Sequence, residues 1–504
     1  MTDARKQDEA AGVRDAGMNG HPLAGRTTRV LAVMVAALLV PYAHPALRKL
    51  RVVRAPWDKT EETVATAATA QPTASVGEQA IKATENQATV TNALPTEPSR
   101  APLDPAILAK TAGSLAVEDP TGHALDKFYA RLAKTIRKEP GAVTRVLHYG
   151  DSVIASDYVS GTMRRRMQQR FGDAGHGFIL VANPWEWYFH NDVEHKASEG
   201  WTASRITGPW TKDGFYGLGG VSFHTGKEAT ATFATTTRGD YGRGVSRYDV
   251  YYLEQPDGGD FQIEIKGQDP VRVSTRAADK ASKKKSVTVP DGGASMTLRT
   301  LGGGDVRMFG VVMERDAAGV AYDALGALGG RASLWGQQDG AHWKDQMGLR
   351  DPALVIVQYG TNESEDGGIN EPQYQKALAE LLDKLKAAAP DASILVAAPP
   401  DRAERTESGD LKTPKIIPRL IHFQHKVALE KEVGFWDTFK AMGGDGSMGQ
   451  WLKKGLCSGD LTHPTPAGAQ LLGDLMFKSL VTGYAAWASQ HPEAPLLPEP
   501  DAGP

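Results

Sequence analysis

VTRVLHYGDS, residues 143–152, is the stretch that decides the fold of this 504-residue chain. Its first seven residues predict a β-strand, which ends abruptly at Gly150-Asp-Ser152. A helix is predicted next, because large apolar residues recur on roughly one face at Tyr158, Met163, Met167 and Phe171. Ser152 therefore lies at a strand-to-helix turn, at the carboxyl edge of a sheet, where open α/β folds bind ligands.

The chain after about residue 315 has the same strand–helix texture. Residues 353–359 and 393–398 are apolar runs, as expected of strands buried on both faces. Helices are predicted at about 371–388, 414–431 and 466–485, and a short strand is predicted at 434–437. This alternation predicts a parallel sheet with helices on both faces.

Residues 190–314 lack helical periodicity. Short alternating runs occur instead, such as Phe261-x-Ile263-x-Ile265 and Met296-x-Leu298, separated by turn signals such as PDGG. Short strands at this spacing predict an antiparallel β-sandwich. The simplest architecture is one α/β domain at 106–189 and 315–490, interrupted by an inserted β-sandwich.

The N-terminal residues bear on the compartment. Residues 30–43 form an uncharged apolar run, shorter than the roughly 20 residues of a comfortable membrane span. The run fits a signal peptide h-region or an uncleaved membrane anchor. We therefore expect a cell-envelope protein, periplasmic, anchored to the inner membrane, or secreted. A polar leader, a disordered linker and a disordered tail are predicted at 1–29, 44–105 and 491–504.

Charge and composition exclude several function classes. The net charge is -3 and no Lys/Arg block suggests a nucleic-acid partner. The longest basic runs, 164–166 and 283–285, are interpreted as solvated faces. One cysteine, Cys457, excludes an intrachain disulfide. With no HExxH motif, no cysteine pair and no GxGxxG spacing, neither a metal nor a cofactor is expected.

Two motifs carry side chains suited to acyl transfer. In DLTH, residues 460–463, the spacing lets Asp460 reach Nδ1 of His463 and leaves Nε2 free to take a proton from a serine. In GTNE, residues 360–363, Asn362 follows a buried strand and can present its amide as an oxyanion donor. A solvated loop and an Asn/Gly turn explain these motifs equally well one at a time.

GALGG, residues 326–330, is a glycine-rich loop after another strand signal. A glycine there lets a backbone N–H approach a ligand closely, and a plain flexible turn is its bland explanation. The GDS motif is likewise explained by an ordinary helix cap. The combination is more specific than any one motif, because all four loops fit the carboxyl edge of one sheet.

In these four blocks the chain resembles the SGNH (GDSL) hydrolase family. The resemblance covers about 106–185 and 315–485, and it implies a flavodoxin-like three-layer α/β fold. It also implies that Ser152 is the nucleophile and that His463, oriented by Asp460, is general base and then general acid. The oxyanion hole would consist of the Ser152 N–H, the Gly329 N–H and the Asn362 side chain.

The chain departs from the family pattern in two places. Glu363 stands where the G-x-N-D block has an aspartate, although the asparagine carries the role. Ser152 and Gly329 lie 177 positions apart, far more than compact members need, and the inserted sandwich accounts for the difference. An insertion at this place is similar to bacterial peptidoglycan O-acetylesterases, which carry a carbohydrate-binding-module-like insert.

The resemblance implies hydrolysis of O-acetyl groups on an acetylated polysaccharide or peptidoglycan through an acyl-enzyme. A polysaccharide O-acetyltransferase with the same residues, a non-catalytic polysaccharide-binding protein and, less favoured, a lipase are the alternatives. Aromatic residues after the first βα unit suit sugar stacking, although most are expected to be core. His148 is interpreted as a satisfied strand residue. The aromatic residues are Trp185, Trp187, Tyr188, Phe189, Trp201, Trp210, Phe215 and Tyr216.

Overall fold

The computed structural model describes residues 116–365 and 368–497. The predicted leader, apolar run and linker lie outside this part of the chain, as do 106–115 and the end of the tail. In the described part, no helix combines the length and the apolar character needed to cross a membrane.

The strands and helices have the following bounds. The strands are β1 (Val143–Gly150), β2 (Gly175–Ile179), β3 (Val193–Ala197), β4 (Thr202–Arg205), β5 (Val221–Thr225), β6 (Thr230–Thr235), β7 (Val245–Glu254), β8 (Asp260–Ile265), β9 (Val271–Ser274), β10 (Ala281–Gly292), β11 (Ser295–Thr300), β12 (Val306–Glu314), β13 (Gly319–Gly326), β14 (Leu354–Gln358), β15 (Ser393–Ala397), β16 (Glu404–Arg405), β17 (Leu411–Lys412) and β18 (Gly434–Trp436). The α-helices are α1 (Asp126–Ile136), α2 (Ser152–Ala155), α3 (Tyr158–Phe171), α4 (Gly340–Arg350), α5 (Glu371–Ala388), α6 (Ile416–Glu430), α7 (Thr438–Met442), α8 (Ser447–Lys453) and α9 (Pro466–Gln490).

A five-stranded parallel sheet carries the predicted site. Its order is β13-β1-β14-β15-β18, which is 2-1-3-4-5 when its strands are counted along the chain. This is the flavodoxin-like order, with its switch point beside the first strand. Gly150 at the end of β1 is level with Gly326 of β13 and Gln358 of β14. The loops after these three strands therefore leave the sheet side by side.

Alternating residues of β14 show the three layers. Val355 and Val357 belong to one hydrophobic cluster, which includes Leu381 of α5. Leu354 and Ile356 belong to a second cluster, together with residues of α3 and α9 such as Met163 and Leu472. Because successive strand residues point to opposite faces, the sheet is covered on both sides, as the apolar run predicted.

The strands between β2 and β13 form two antiparallel sheets. One has the order β10-β7-β12-β5-β4, with β2 also paired to β12, and the other has the order β3-β6-β11-β8-β9. The Tyr252 and Phe261 rings, one from each sheet, lie 5.3 Å apart within one hydrophobic cluster. These sheets confirm the predicted β-sandwich texture. Because β2 precedes residue 190, strand pairing crosses the predicted boundary of the insertion.

A buried ionic cluster joins the parallel sheet to the antiparallel strands. Glu314, at the end of β12, accepts hydrogen bonds from Arg145 of β1, Arg247 of β7 and Arg350 of α4. Burial acts to raise the pKa of Glu314, but the charges of Arg350 and Arg145 outweigh it and hold the pKa well below its ordinary value. Removing one partner of such a cluster is costly, because a charge stays buried without compensation.

The interpretation of residues 164–166 as a solvated face is wrong for Arg164. Arg164 is 1% exposed and donates to both carboxylate oxygens of Asp157. Arg165 and Arg166 pair with Asp192 and Asp474. Arg165 and Arg166 therefore tie α3 to the segment before β3 and to α9, whereas Arg164 pairs with the residue that precedes its own helix.

Candidate active site

Ser152 begins the short helix α2 directly after β1. The preceding Asp151 side chain accepts a hydrogen bond from Val153 N at 3.0 Å and caps this turn. Gly326, at the end of the neighbouring strand, passes very close, and a Cβ there would lie 2.1 Å from Ala155 N. Only glycine allows this approach, so the GALGG loop starts directly beside the serine turn.

Ser152, His463 and Asp460 form a continuous hydrogen-bonded series. Ser152 Oγ lies 2.7 Å from Nε2 of His463, and Nδ1 of His463 lies 2.8 Å from Oδ2 of Asp460. A hydroxyl, an imidazole and a carboxylate in this order suit a nucleophile, its base and an orienting group. The sequence-predicted spacing in DLTH thus places the carboxylate on the Nδ1 side, and Nε2 faces the serine.

Asp460 is surrounded by donors. Its Oδ1 accepts from Ser458 Oγ at 2.7 Å and from the backbone N–H groups of Thr462 and His463, each at 2.9 Å. Burial acts to raise the pKa of Asp460, but the His463 hydrogen bond and charge, with the Ser458 hydroxyl, outweigh burial. The pKa therefore lies well below its ordinary value. A carboxylate that stays ionised can hold His463 in one tautomer.

The turn between Asp460 and His463 has an unusual backbone. Leu461 has φ of 62°, a left-handed conformation that few residues without special reason adopt. Its carbonyl oxygen accepts from Ala403 N at 2.8 Å, so the loop after β15 holds the turn in place. This fixes where the His463 ring stands relative to β1.

The predicted oxyanion donors lie on the loops after β13 and β14. Gly329 has φ of +71°, and a Cβ there would meet nothing within 4 Å, so its backbone borders open space. Within the described residues, no hydrogen bond of the Ser152 or Gly329 N–H is found. Asn362 Nδ2 donates to Gly330 O at 2.9 Å, which leaves its second amide hydrogen for another acceptor.

Sequence reasoning missed two side chains beside the site. Ser458 bonds to both Asp460 Oδ1 and His463 O, and nothing in its spacing distinguished it from a loop serine. Glu363 is buried, and its Oε1 accepts from Ala332 N at 3.0 Å. The departure from the G-x-N-D block was the available signal for Glu363.

His148 is a satisfied strand residue, as predicted. It is fully buried, with Nδ1 2.8 Å from Tyr322 Oη and Nε2 3.0 Å from Gln358 Oε1. Burial lowers the pKa of His148 to about 3, so the ring is neutral. Among the described residues, no cluster of three or more His, Cys, Asp or Glu side chains could hold a metal ion.

The aromatic residues of 185–216 divide as expected, with one exception. Trp185 and Tyr216 are buried, and Tyr188, Trp201 and Phe215 pack partly buried against the core. Trp210 is 61% exposed. Its Nε1 donates to Ile206 O at 3.2 Å, so the ring is fixed while much of it stays open to solvent.

Comparison with known proteins bears on this arrangement. Residues 294–471 match the model of the GDSL-like Lipase/Acylhydrolase family. The matched range contains Gly329, Asn362, Asp460 and His463, and it begins after Ser152. No curated protein matches the sequence.

A solved structure described as "Peptidoglycan O-acetylesterase in action, 5 min" is similar at 22% identity. The TM-score is 0.63, with 73% of this chain and 99% of that chain covered. This likeness shows a shared fold. A family two carbohydrate esterase from Clostridium thermocellum is 12% identical, with a TM-score of 0.26 and coverage of 56% of this chain and 98% of that chain.

Proposed function

Because the chain carries a GDSL-like lipase/acylhydrolase domain, we propose that it is a serine esterase that removes O-acetyl groups from an envelope or extracellular polysaccharide. The observation that carries the proposal is the hydrogen-bonded series from Ser152 through His463 to Asp460. It supplies a nucleophile, a base and an orienting carboxylate without further rearrangement.

The reaction follows from these contacts. As Ser152 Oγ attacks the acetyl carbonyl carbon, its proton moves to Nε2 of His463. Collapse of the tetrahedral intermediate breaks the ester bond, and His463 gives the proton to the leaving sugar oxygen, which becomes a hydroxyl. Water then attacks the acetyl-serine, gives a proton to His463, and acetate leaves as Ser152 recovers its proton. Asp460 stabilises the imidazolium in both halves.

The negative charge of each tetrahedral intermediate needs donors. The Ser152 N–H and Gly329 N–H, together with the second Asn362 amide hydrogen, come from loops that leave one edge of the sheet side by side. Donors fixed before the reaction stabilise such a charge with little reorganisation. We assign these three groups to the oxyanion hole.

Two observations support a carbohydrate substrate. The sequence resembles peptidoglycan O-acetylesterases in the place of its insertion and in its GTNE block. In addition, Trp210 presents a fixed, exposed aromatic ring, a surface on which a sugar ring can stack. The Trp210 loop is held by Arg205, whose guanidinium donates to Pro184 O and Gly208 O.

The direct test is product analysis. The full chain is incubated with O-acetylated peptidoglycan and, separately, with acetylated polysaccharides, and the products are followed by electrospray mass spectrometry. Loss of 42 mass units per acetyl group, with equimolar free acetate, is the expected result. Acetyl transfer to an added acceptor sugar without acetate release would show that the protein is an acetyltransferase and not a hydrolase. No loss of acetyl from any of these substrates would overturn the proposal.

A further inference from the structure

The backbone around Gly329 needs outside support. Gly329 lies at positive φ in a loop with two adjacent glycines, and glycine fixes its own backbone less than any other residue. An N–H that must meet an oxyanion within a few tenths of an ångström cannot rely on such a loop alone. The loop therefore requires contacts on either side of Gly329.

Three hydrogen bonds supply these contacts. Ala327 N donates to Gly150 O at 2.9 Å and fixes the start of the loop to β1. Asn362 Nδ2 donates to Gly330 O at 2.9 Å. Ala332 N donates to Glu363 Oε1 at 3.0 Å and fixes the end of the loop. Two of the three come from adjacent residues of the GTNE block.

The contact to Glu363 is made in a buried environment. Glu363 is 6% exposed, and its other oxygen, Oε2, is buried without a hydrogen-bond partner in the described structure. Burying a carboxyl group that satisfies only one oxygen costs free energy. The bond that Oε1 makes offsets part of this cost, since Ala332 begins a 3-10 helix whose first N–H groups have no partner within the helix.

The side-chain length matters as much as the charge. An aspartate, the residue of the G-x-N-D block, is shorter by one C–C bond, about 1.5 Å. From the same backbone it would not reach Ala332 N, which Glu363 meets at 3.0 Å. A glutamine has the full length and keeps a carbonyl oxygen at this position.

We infer that Glu363 is a positioning residue, whose carboxyl oxygen fixes the GALGG loop to the GTNE loop and so holds the Gly329 N–H in register with Asn362. The inference rests on the proposed esterase function. Glu363 takes no part in the bond changes of the proposed reaction. It acts through the backbone of residues 327–332.

The test compares Glu363→Gln, Glu363→Ala and Glu363→Asp in the full chain. Glu365→Ala is the matched control, because Glu365 is an exposed glutamate of the same short helix. kcat and KM are measured on 4-nitrophenyl acetate, and hydrogen–deuterium exchange of the peptide covering 327–335 is followed by mass spectrometry.

We expect Glu363→Ala and Glu363→Asp to lower kcat by roughly tenfold to a hundredfold, less than loss of a whole oxyanion donor, with KM within about threefold. Exchange in 327–335 should be faster in both. Glu363→Gln, which keeps the acceptor, and Glu365→Ala should stay within about threefold of wild type in kcat, with unchanged exchange.

Several results would overturn the inference. These are equal kcat for the alanine and glutamine variants, a loss confined to KM, or unchanged exchange in 327–335 when Ala332 has lost its acceptor. If Glu363→Ala does not fold, the aspartate variant decides, because it keeps a carboxylate. If the wild type does not hydrolyse the ester at all, the proposed function fails, and the exchange measurement still decides whether Glu363 holds the loop.

Discussion

Ser152 Oγ lies 2.7 Å from Nε2 of His463, although 311 positions separate the two residues. The contact exists because the turn after β1 and the loop before α9 meet at the carboxyl edge of the parallel sheet. No local sequence interaction holds it. The hydroxyl and the imidazole are therefore expected to act as one unit, so that loss of either should cost about as much activity as loss of both.

Replacement of either group should accordingly abolish the reaction. Ser152→Ala should lower kcat on 4-nitrophenyl acetate by about 10⁴-fold or more, and His463→Ala should be nearly as severe. Ser156→Ala is the control and should keep near wild-type activity, because the Ser156 hydroxyl donates to Val153 O rather than to His463. Near wild-type turnover by Ser152→Ala would show that another residue is the nucleophile.

Asn362→Ala should lower kcat by roughly 10²–10³, the usual cost of one lost oxyanion donor. KM should change little, because the amide is needed most when charge develops on the carbonyl oxygen. Steady-state kinetics on a small acetyl ester separate the two parameters. A change in KM alone would show that Asn362 binds the substrate and does not specifically stabilise the intermediate.

The stability of the fold should depend on pH through Glu363. Burial, and then the charge of Asp151, raise the pKa of Glu363 from 4.5 to about 7. Between these values the folded protein keeps a proton that the unfolded chain has released, so the free energy of unfolding falls as pH rises from about 4.5 to 7. Above this range the contribution is constant.

Glu363→Gln cannot titrate and should lack this decline. The free energy of unfolding of the wild type, relative to that of the variant, should fall by at most about 3 kcal/mol between pH 4.5 and 8. Urea unfolding of both proteins at several pH values measures the difference. Parallel stability curves would mean that Glu363 is ionised in the folded protein throughout.

Trp210→Ala should weaken action on polymer more than action on a small ester. Loss of one stacking surface should lower kcat/KM on acetylated polysaccharide by roughly tenfold, whereas 4-nitrophenyl acetate should be affected less than about twofold. Trp210→Phe keeps a flat ring and should retain most of the polymer activity. Equal losses on both substrates would indicate that Trp210 supports the structure of the catalytic loops and does not bind the polymer.

The apolar run at 30–43 should direct export, because it follows a basic leader and precedes a segment with few large apolar side chains. A fusion of residues 1–60 to a reporter active only outside the cytoplasm should be active. A fusion in which two residues of the run are replaced by arginine is the control and should be silent. Reporter confined to the cytoplasm with the native run would contradict the envelope assignment.

The sequence predicts structure well where a local pattern of residue types has one physical explanation. The nearly continuous apolar run at 353–359 contains β14, a strand buried on both faces, and D-x-x-H places a carboxylate on the Nδ1 side of His463. The solvated-face interpretation is wrong for Arg164 because its partner, Asp157, lies seven residues away and has a left-handed backbone. Periodicity carries no information about such a pair.

Contacts between residues far apart in the sequence could not be predicted either. That Glu363 meets Ala332, or that β2 pairs with β12, depends on how loops and sheets are placed in space. No local propensity encodes either contact. The same pairing of β2, with the ionic cluster at Glu314, means that excising 190–314 would damage the parallel sheet as well. A point substitution at Trp210 therefore tests polymer recognition more cleanly.

β1 is synthesised long before the strands that pair with it in the parallel sheet. Val143 of β1 pairs with Gly319 of β13, so 176 further residues must be synthesised before that edge of β1 is covered. At 5–20 residues per second this takes roughly 10–35 s, and the ribosome reaches His463 later still. A nascent chain thus carries the serine long before it carries the imidazole. Under the proposed function, an incomplete chain that ends before His463 therefore lacks the base that would activate Ser152.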